Sequence, residues 1–172
     1  MRAVRLRATA LGIALGLMGL MGGPAQAACR QALALGLDVS GSVDAVEYRL
    51  QLDGLAAALA HPEVRAALLA LPDAPVRLAV YDWSGPRDQR LLLGWTEITG
   101  ADVLDRIIAQ LPASPRSAGD PSTAIGAAMQ FGAALLQEQG TCWKRTLDLS
   151  GMANPTPGRI PAMSAAGLVR SR

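Results

Sequence analysis

Apolar positions fall in short blocks separated by polar, Gly- and Pro-bearing breaks, and the period inside the blocks changes along the chain. Gln31–Asp38 (QALALGLD) is an almost unbroken apolar run closed by an acid, the pattern of a strand buried on both faces. From Asp44 to Ala60 the spacing turns helical, with Val46, Leu50, Leu52, Leu55 and Leu59 as its apolar positions. Asp44 followed by Glu47 is a capping-box pair that marks where this helix starts. His61-Pro62 breaks it, and Pro62–Leu71 predicts a second, short helix. Val76–Trp83 predicts a strand in which Val76, Leu78 and Val80 alternate. The turn Gly85-Pro86-Arg87-Asp88 then folds Arg90–Ile98 back as its antiparallel partner. Ala101–Leu111 predicts an amphipathic helix through Val103, Leu104, Ile107, Ile108 and Leu111. Pro112–Pro121 is a loop rich in Pro, Ser and Gly, Ser122–Gln139 an Ala-rich helix, and Arg145–Ser150 the last strand pattern. Strands separated by helices imply an α/β layered fold with a mostly parallel sheet.

The two ends read differently. Arg2, Arg5 and Arg7 precede an uncharged apolar run, Ala8–Gly23, and Ala25-Gln26-Ala27 fits a small-x-small cleavage site. Residues 1–27 are therefore expected to be a secretory signal peptide, removed after Ala27. The alternative, a membrane anchor, needs a run of about 20 residues, longer than this one. A lipoprotein would be acylated at Cys29, but Gln26 stands where a large apolar residue is expected. With the signal removed, nothing suggests membrane insertion, and the product is expected to be periplasmic or secreted.

The chain carries a formal charge of +2, but residues 1–27 and 152–172 each hold three arginines and no acid, which leaves −4 on residues 28–151. No basic stripe marks a nucleic-acid surface. Two cysteines exclude a disulfide-dense scaffold and a four-Cys zinc site, and the lone His61 excludes a multi-His centre within one chain. Export permits a disulfide. Cys29 lies nine residues before Asp38 and Cys142 ten before position 152. If the segments that follow them are neighbouring parallel strands, both cysteines sit at the same end and can form a Cys29–Cys142 bridge. The alternative is two buried thiols.

In open α/β sheets, ligands bind at the carboxyl ends of strands where the strand order reverses. The first strand ends in Asp38-Val39-Ser40-Gly41-Ser42, which places three oxygen side chains on one tight loop. A second loop, Gly119-Asp120-Pro121-Ser122-Thr123, also precedes a helix and offers the Thr123 hydroxyl. Carboxylates and hydroxyls are the hard ligands that Mg²⁺ or Mn²⁺ prefer. Either loop alone reads better as helix capping. The two together, in order and each after the expected element, favour a metal site.

At these residues the sequence resembles a known domain. Asp38, Ser40, Ser42 and then Thr123 are similar to the metal-ion-dependent adhesion site of von Willebrand factor A-type domains. More narrowly, LDVSGSVDAVEYRLQLDGLAAAL, AVYDWSG and DLSG resemble an uncharacterised family of secreted bacterial proteins that carry such a domain, over residues 28–151. The resemblance implies a Rossmann-like, mostly parallel sheet flanked by helices. It also implies metal contact by the serines and threonine, aspartates acting largely through bound water, and one open position for a partner's carboxylate. Asp120 and Asp148 are possible outer-shell carboxylates, though Asp148 reads more readily as a buried hydrogen-bonding residue of the fourth strand.

The resemblance also implies an aspartate just after the fourth strand, where this chain has Ser150-Gly151-Met152. Beyond it the strand pattern stops, whereas such a fold continues for about two more strand–helix units. Methionine has the single codon ATG, and one G restored before it reads Asp-Gly. We expect a one-base frameshift at Gly151/Met152, leaving residues 152–172 as an irregular, out-of-frame tail and the fold incomplete at its C-terminus; the alternative is a natural short variant.

Other chemistry is weaker. No G-x-S-x-G elbow is present, and a Ser-His-Asp triad would have to use His61, away from the loop face. Trp83, Trp95 and Trp143 read as packing residues, and Lys144, the sole lysine, starts the last strand at the far end from Asp38. The expectation is an exported, non-enzymatic binding module that uses a divalent metal to bind an acidic group of a protein partner, impaired if truncated. The alternatives are an inert truncated product and a metal-dependent phosphatase-like hydrolase using Asp38. Sequencing the source DNA across codons 145–160 should show one extra base that restores Asp-Gly after Gly151. An unchanged reading frame there removes the frameshift.

Overall fold

Gln31–Asp38 forms β1, and its apolar residues on both faces place it inside the sheet, between two other strands. The computed structural model describes residues 29–150. Its further elements are α1 (Ala45–Ala60), α2 (Pro62–Leu69), β2 (Val76–Trp83), β3 (Gln89–Ile98), α3 (Ala101–Gln110), a 3-10 turn at Leu111–Ala113, α4 (Ile125–Gln137) and β4 (Lys144–Ser150). The expected signal peptide, the frameshift point at Gly151/Met152 and the tail 152–172 lie outside the described residues.

The sheet order is β3-β2-β1-β4. β1 runs parallel to both neighbours, with Gln31 opposite Val76 and Lys144 and Asp38 opposite Trp83. β3 returns antiparallel to β2, as the Gly85–Asp88 turn predicts. The chain moves from β1 to β2 on one side and later comes back to β4 on the other, so the order reverses at β1. Its carboxyl end is therefore the crevice of the sheet.

Helices cover both faces. One core joins Leu37, Leu52, Leu59, Leu78, Val80, Leu104 and Ile107 from the sheet, α1 and α3. The other packs Tyr81 and Trp83 against Ala128 and Leu135 of α4, with Phe131, Leu147 and Leu149 beside them. Tyr81 donates its hydroxyl to the Ala128 carbonyl at 2.7 Å. Gly36 and Gly132 make room for this ring: a Cβ at either would stand 2.7 Å from a Tyr81 atom. No helix among the described residues is long and apolar enough to cross a membrane.

The α/β architecture is as expected, with several local differences. On α1 the inward residues are Tyr48, Leu52, Ala56 and Leu59, while Val46 and Leu50 are 66% and 64% exposed. The helical stripe through Leu52 and Leu59 simply leaves positions 46 and 50 on the outer side. α2 stops at Leu69 rather than Leu71. α4 starts at Ile125, not Ser122, because Asp120 holds the Ser122 N–H in a turn of its own. Trp143 is 68% exposed and does not pack, whereas Trp83 is fully buried. Asp148 is exposed, not buried, since the outward face of β4 has no covering element among the described residues.

Cys29 and Cys142 form a disulfide just ahead of β1 and β4, both buried. The backbone ladder begins there, with Trp143 N–H donating to the Cys29 carbonyl at 2.9 Å. This bridge closes a separation of 113 residues, so its removal should lower stability by about 4 kcal/mol. Urea unfolding of the Cys29→Ala/Cys142→Ala double variant measures this, and an unchanged midpoint would refute it. Burial pushes the Tyr81 phenol up to about 12 from an ordinary 10.0. The unfolded phenol ionises first, so stability is intact below pH 10 and declines as pH rises from 10 to 12. Denaturation midpoints across that range should fall more steeply in the native protein than in Tyr81→Phe.

Candidate metal-binding loop at the carboxyl end of the central strand

Asp38 closes β1 and is only 2% exposed. The chain then turns sharply. Val39 N–H donates to the Trp83 carbonyl at 2.9 Å, and Val43 N–H donates to the Ser40 carbonyl at 2.9 Å. Ser40 N–H donates to Asp38 Oδ1 at 2.8 Å. The Ser40 and Ser42 hydroxyls come within 3.4 Å of each other, Ser40 fully buried and Ser42 exposed. A carboxylate and two hydroxyls thus share one turn, as the D-x-S-x-S spacing predicts.

The second loop docks on the first. Gly41 N–H donates to the Pro121 carbonyl at 2.8 Å. A Cβ at Gly41 would stand 2.8 Å from Pro121 Cβ, so this approach requires glycine. Thr123 lies two residues beyond Pro121, exposed, with its hydroxyl in no hydrogen bond to another described residue. Asp120 packs against Gly85, and its Oδ1 accepts the Ser122 N–H at 2.8 Å, which holds its carboxyl below the usual carboxylate range. Asp148 stands opposite Leu35, well back along β1 from Asp38.

Helix capping does not explain the hydroxyls. α1 is capped by Asp44, which accepts from the Val46 and Glu47 N–H groups, while Glu47 accepts the Asp44 N–H. α4 has Ala124 at its N-cap and no side-chain cap. Ser40, Ser42 and Thr123 are therefore free of the role that competes with metal binding.

Three further residues hold this turn and a fourth, Asp82, ties the neighbouring loop to β2; all but Arg116 lie within the segments that carry the resemblance, yet none was singled out there as a site residue. Gln51 of α1 donates Nε2 to the Asp38 carbonyl at 3.0 Å. Ser150, at the end of β4, accepts the Asp38 N–H at 3.2 Å and donates to Gln51 Oε1 at 3.1 Å. Arg116 reaches across from the loop before α4 and donates Nη2 to the carbonyls of Val39 at 2.9 Å and Val43 at 2.8 Å. Asp82, near the end of β2 and 1% exposed, accepts from Arg90 Nη2 at 2.7 Å and Ser117 Oγ at 2.8 Å. The one available sign of Asp82 was an acid inside an otherwise apolar strand.

The two buried carboxylates differ in their partners. Asp82 is neutralised by Arg90. Asp38 has no ion pair among the described residues, and its carboxylate accepts a single hydrogen bond there, from Ser40. A buried carboxylate without a counter-charge is costly. The turn that follows it carries the Ser40 and Ser42 hydroxyls, 3.4 Å apart, and carboxylate and hydroxyl oxygens are both hard donors. Among the described residues no group of three or more His, Cys, Asp or Glu could hold a metal, so any cation here would rest on one carboxylate and neutral oxygens.

The fold is similar to one found in a bacterial surface protein. The crystal structure of the pilus adhesin SpaC from Lactobacillus rhamnosus GG matches with a TM-score of 0.52 and 18% identity over 72% of this chain. The chain spans 15% of the length of that adhesin, and at this identity the likeness shows the fold alone. No curated protein sequence matches the chain. A family profile described as "protein of unknown function" matches residues 28–171, and the chain thus belongs to the DUF1194 family.

Proposed function

We propose that this chain is an exported binding module, periplasmic or secreted, that holds Mg²⁺ or Mn²⁺ at the end of β1 and through it binds a carboxylate of a protein partner. The observation that carries this reading is Asp38: a buried carboxylate with no ion pair among the described residues, followed on its own turn by hydroxyls that no capping role occupies. Asp38, Ser40, Ser42 and Thr123 would hold the ion. A bound divalent cation would supply a concentrated positive charge with a coordination position open to an incoming carboxylate.

The chain's own residues set the terms. Asp38 provides the one full negative charge, and Ser40 and Ser42 present oxygens from a backbone that Gln51, Ser150 and Arg116 fix in place. With a single carboxylate, affinity for the ion is modest, and the ion keeps most of its charge for the partner. The adhesin-like fold and the disulfide support an extracytoplasmic binding protein. His61 caps the far end of α1 from the Asp38 turn, so no histidine base serves Ser40 or Ser42.

Calorimetric titration of the purified chain with Mn²⁺ should show one saturable site. Asp38→Asn should weaken it by about tenfold or more while circular dichroism stays native. Gly41→Val, which separates the two loops, should weaken it as well. Equal affinity in the native protein and Asp38→Asn would sink the metal reading. Turnover of a phosphate ester that is lost in Asp38→Asn would instead make the protein a hydrolase.

A further inference from the structure

Beside the Asp38 turn, a cavity of about 390 Å³ opens between the β2–β3 turn and the loop that precedes α4. Arg87, Arg90 and Arg116 line it together with Asp88, Ser117 and Gly119. Three guanidinium groups thus face one carboxylate, on a domain whose residues 28–151 carry −4 overall. This concentration of positive charge runs against the sign of its surroundings.

The three arginines are not equivalent. Arg90 is held by Asp82, and that hydrogen bond keeps its guanidinium protonated even more firmly than usual. It is part of the wall. Arg116 spends Nη2 on the carbonyls of Val39 and Val43, which fix its position but leave its charge uncompensated. Arg87 is exposed and makes no ion pair or hydrogen bond among the described residues. The single acid, Asp88, already accepts the Asp120 N–H at 3.2 Å. Arg87 and Arg116 thus have no ion pair among the described residues, and set against the single Asp88 carboxylate they leave the cavity net positive, with one guanidinium on a braced arm and one exposed at the rim.

The walls are preformed. Gly119 fits so closely behind the β2–β3 turn that a Cβ there would stand 2.7 Å from Ser84 Oγ and 3.2 Å from Asp88 Cβ. Ser84 N–H donates to the Asp88 carbonyl at 3.0 Å and Gln89 Nε2 to the Gly85 carbonyl at 2.8 Å, so the turn itself is braced. Forked guanidinium groups in a fixed concavity match the planar oxyanions of carboxylate and phosphate.

We propose that this cavity is an anion site of its own, taking the acidic side chain of a partner polypeptide, a carboxylate or a phosphoryl group, between Arg87 and Arg116. Arg116 also touches the backbone of the Asp38 turn, so the anion binds next to the proposed metal loop. A partner bearing two neighbouring acidic groups engages both: one in the arginine cavity and one at the metal. The cavity's part of this does not depend on the metal reading; only the pairing of the two does.

Fluorescence anisotropy with two labelled peptides of equal length tests it, one rich in glutamate and one carrying phosphoserine at the same positions. In EDTA, at least one peptide should bind in a salt-sensitive way, and Arg87→Gln should weaken it by about tenfold. The tighter peptide identifies the oxyanion. Mn²⁺ affinity should be the same in Arg87→Gln as in the native protein, because Arg87 touches no residue of the Asp38 turn. Failure of both peptides to bind in EDTA, or binding indifferent to Arg87→Gln and Arg87→Glu, overturns the arginine site. Peptide affinity that does not rise when Mn²⁺ is added overturns the pairing alone, and an absent Mn²⁺ site counts against the metal reading but not against the cavity.

Discussion

A carboxylate taken out of water at the end of an inner strand must be compensated, and this requirement organises the whole carboxyl end of the sheet. Two acids meet it on adjacent strands. Asp82 stands opposite Leu37, one residue from the Asp38–Trp83 pair. It is answered from within the protein by Arg90 and Ser117, which also tie the loop before α4 to β2. The Asp38 carboxylate receives one backbone N–H, on a turn that also carries two neutral hydroxyls. Desolvating a carboxylate costs several kcal/mol even after relaxation. The fold thus spends an arginine on one such group and none on the other.

The turn is otherwise finished, which makes this more than an unsatisfied residue. Its backbone is fixed from three directions: Gln51 and Ser150 from α1 and β4, Pro121 through Gly41, and Arg116 through two carbonyls. Helix capping is delegated to Asp44. Oxygens held without structural duties are preorganised for a ligand, and preorganisation lowers the cost of binding it. Arg116 pulls the other way. A guanidinium beside the turn weakens any cation there and strengthens any anion alongside.

The strand and helix pattern was legible because the apolar runs are long and their breaks are marked by Pro, Gly and capping residues. The D-x-S-x-S turn was legible because three oxygen side chains within five residues have few other uses. The disulfide followed from strand register, since Cys29 and Cys142 precede neighbouring parallel strands. What escaped was whatever depends on contacts distant in sequence. Arg116 and Val39 are 77 residues apart, and Ser150 and Asp38 are 112. No local pattern distinguishes such an arginine or serine from a solvated one. The start of α4 was set three residues early, at Ser122, because the Ala-rich sequence downstream masks where the helix begins. Asp148 was expected to be buried because strand alternation reports which face a residue takes, not whether that face is covered.

β4 shows how the two ends of the sheet depend on each other. It pairs only with β1 among the described residues, and an outer strand with one partner is the part of a sheet that opens most readily. It is held at its start by the Cys29–Cys142 bridge and at its end by Ser150, which touches both Asp38 and Gln51. Loosening the first attachment frees the strand to leave the second, and the Asp38 backbone then loses one of its three supports. The bridge therefore does more than add stability: it holds the strand that completes the turn, so the turn is best formed where the disulfide can exist.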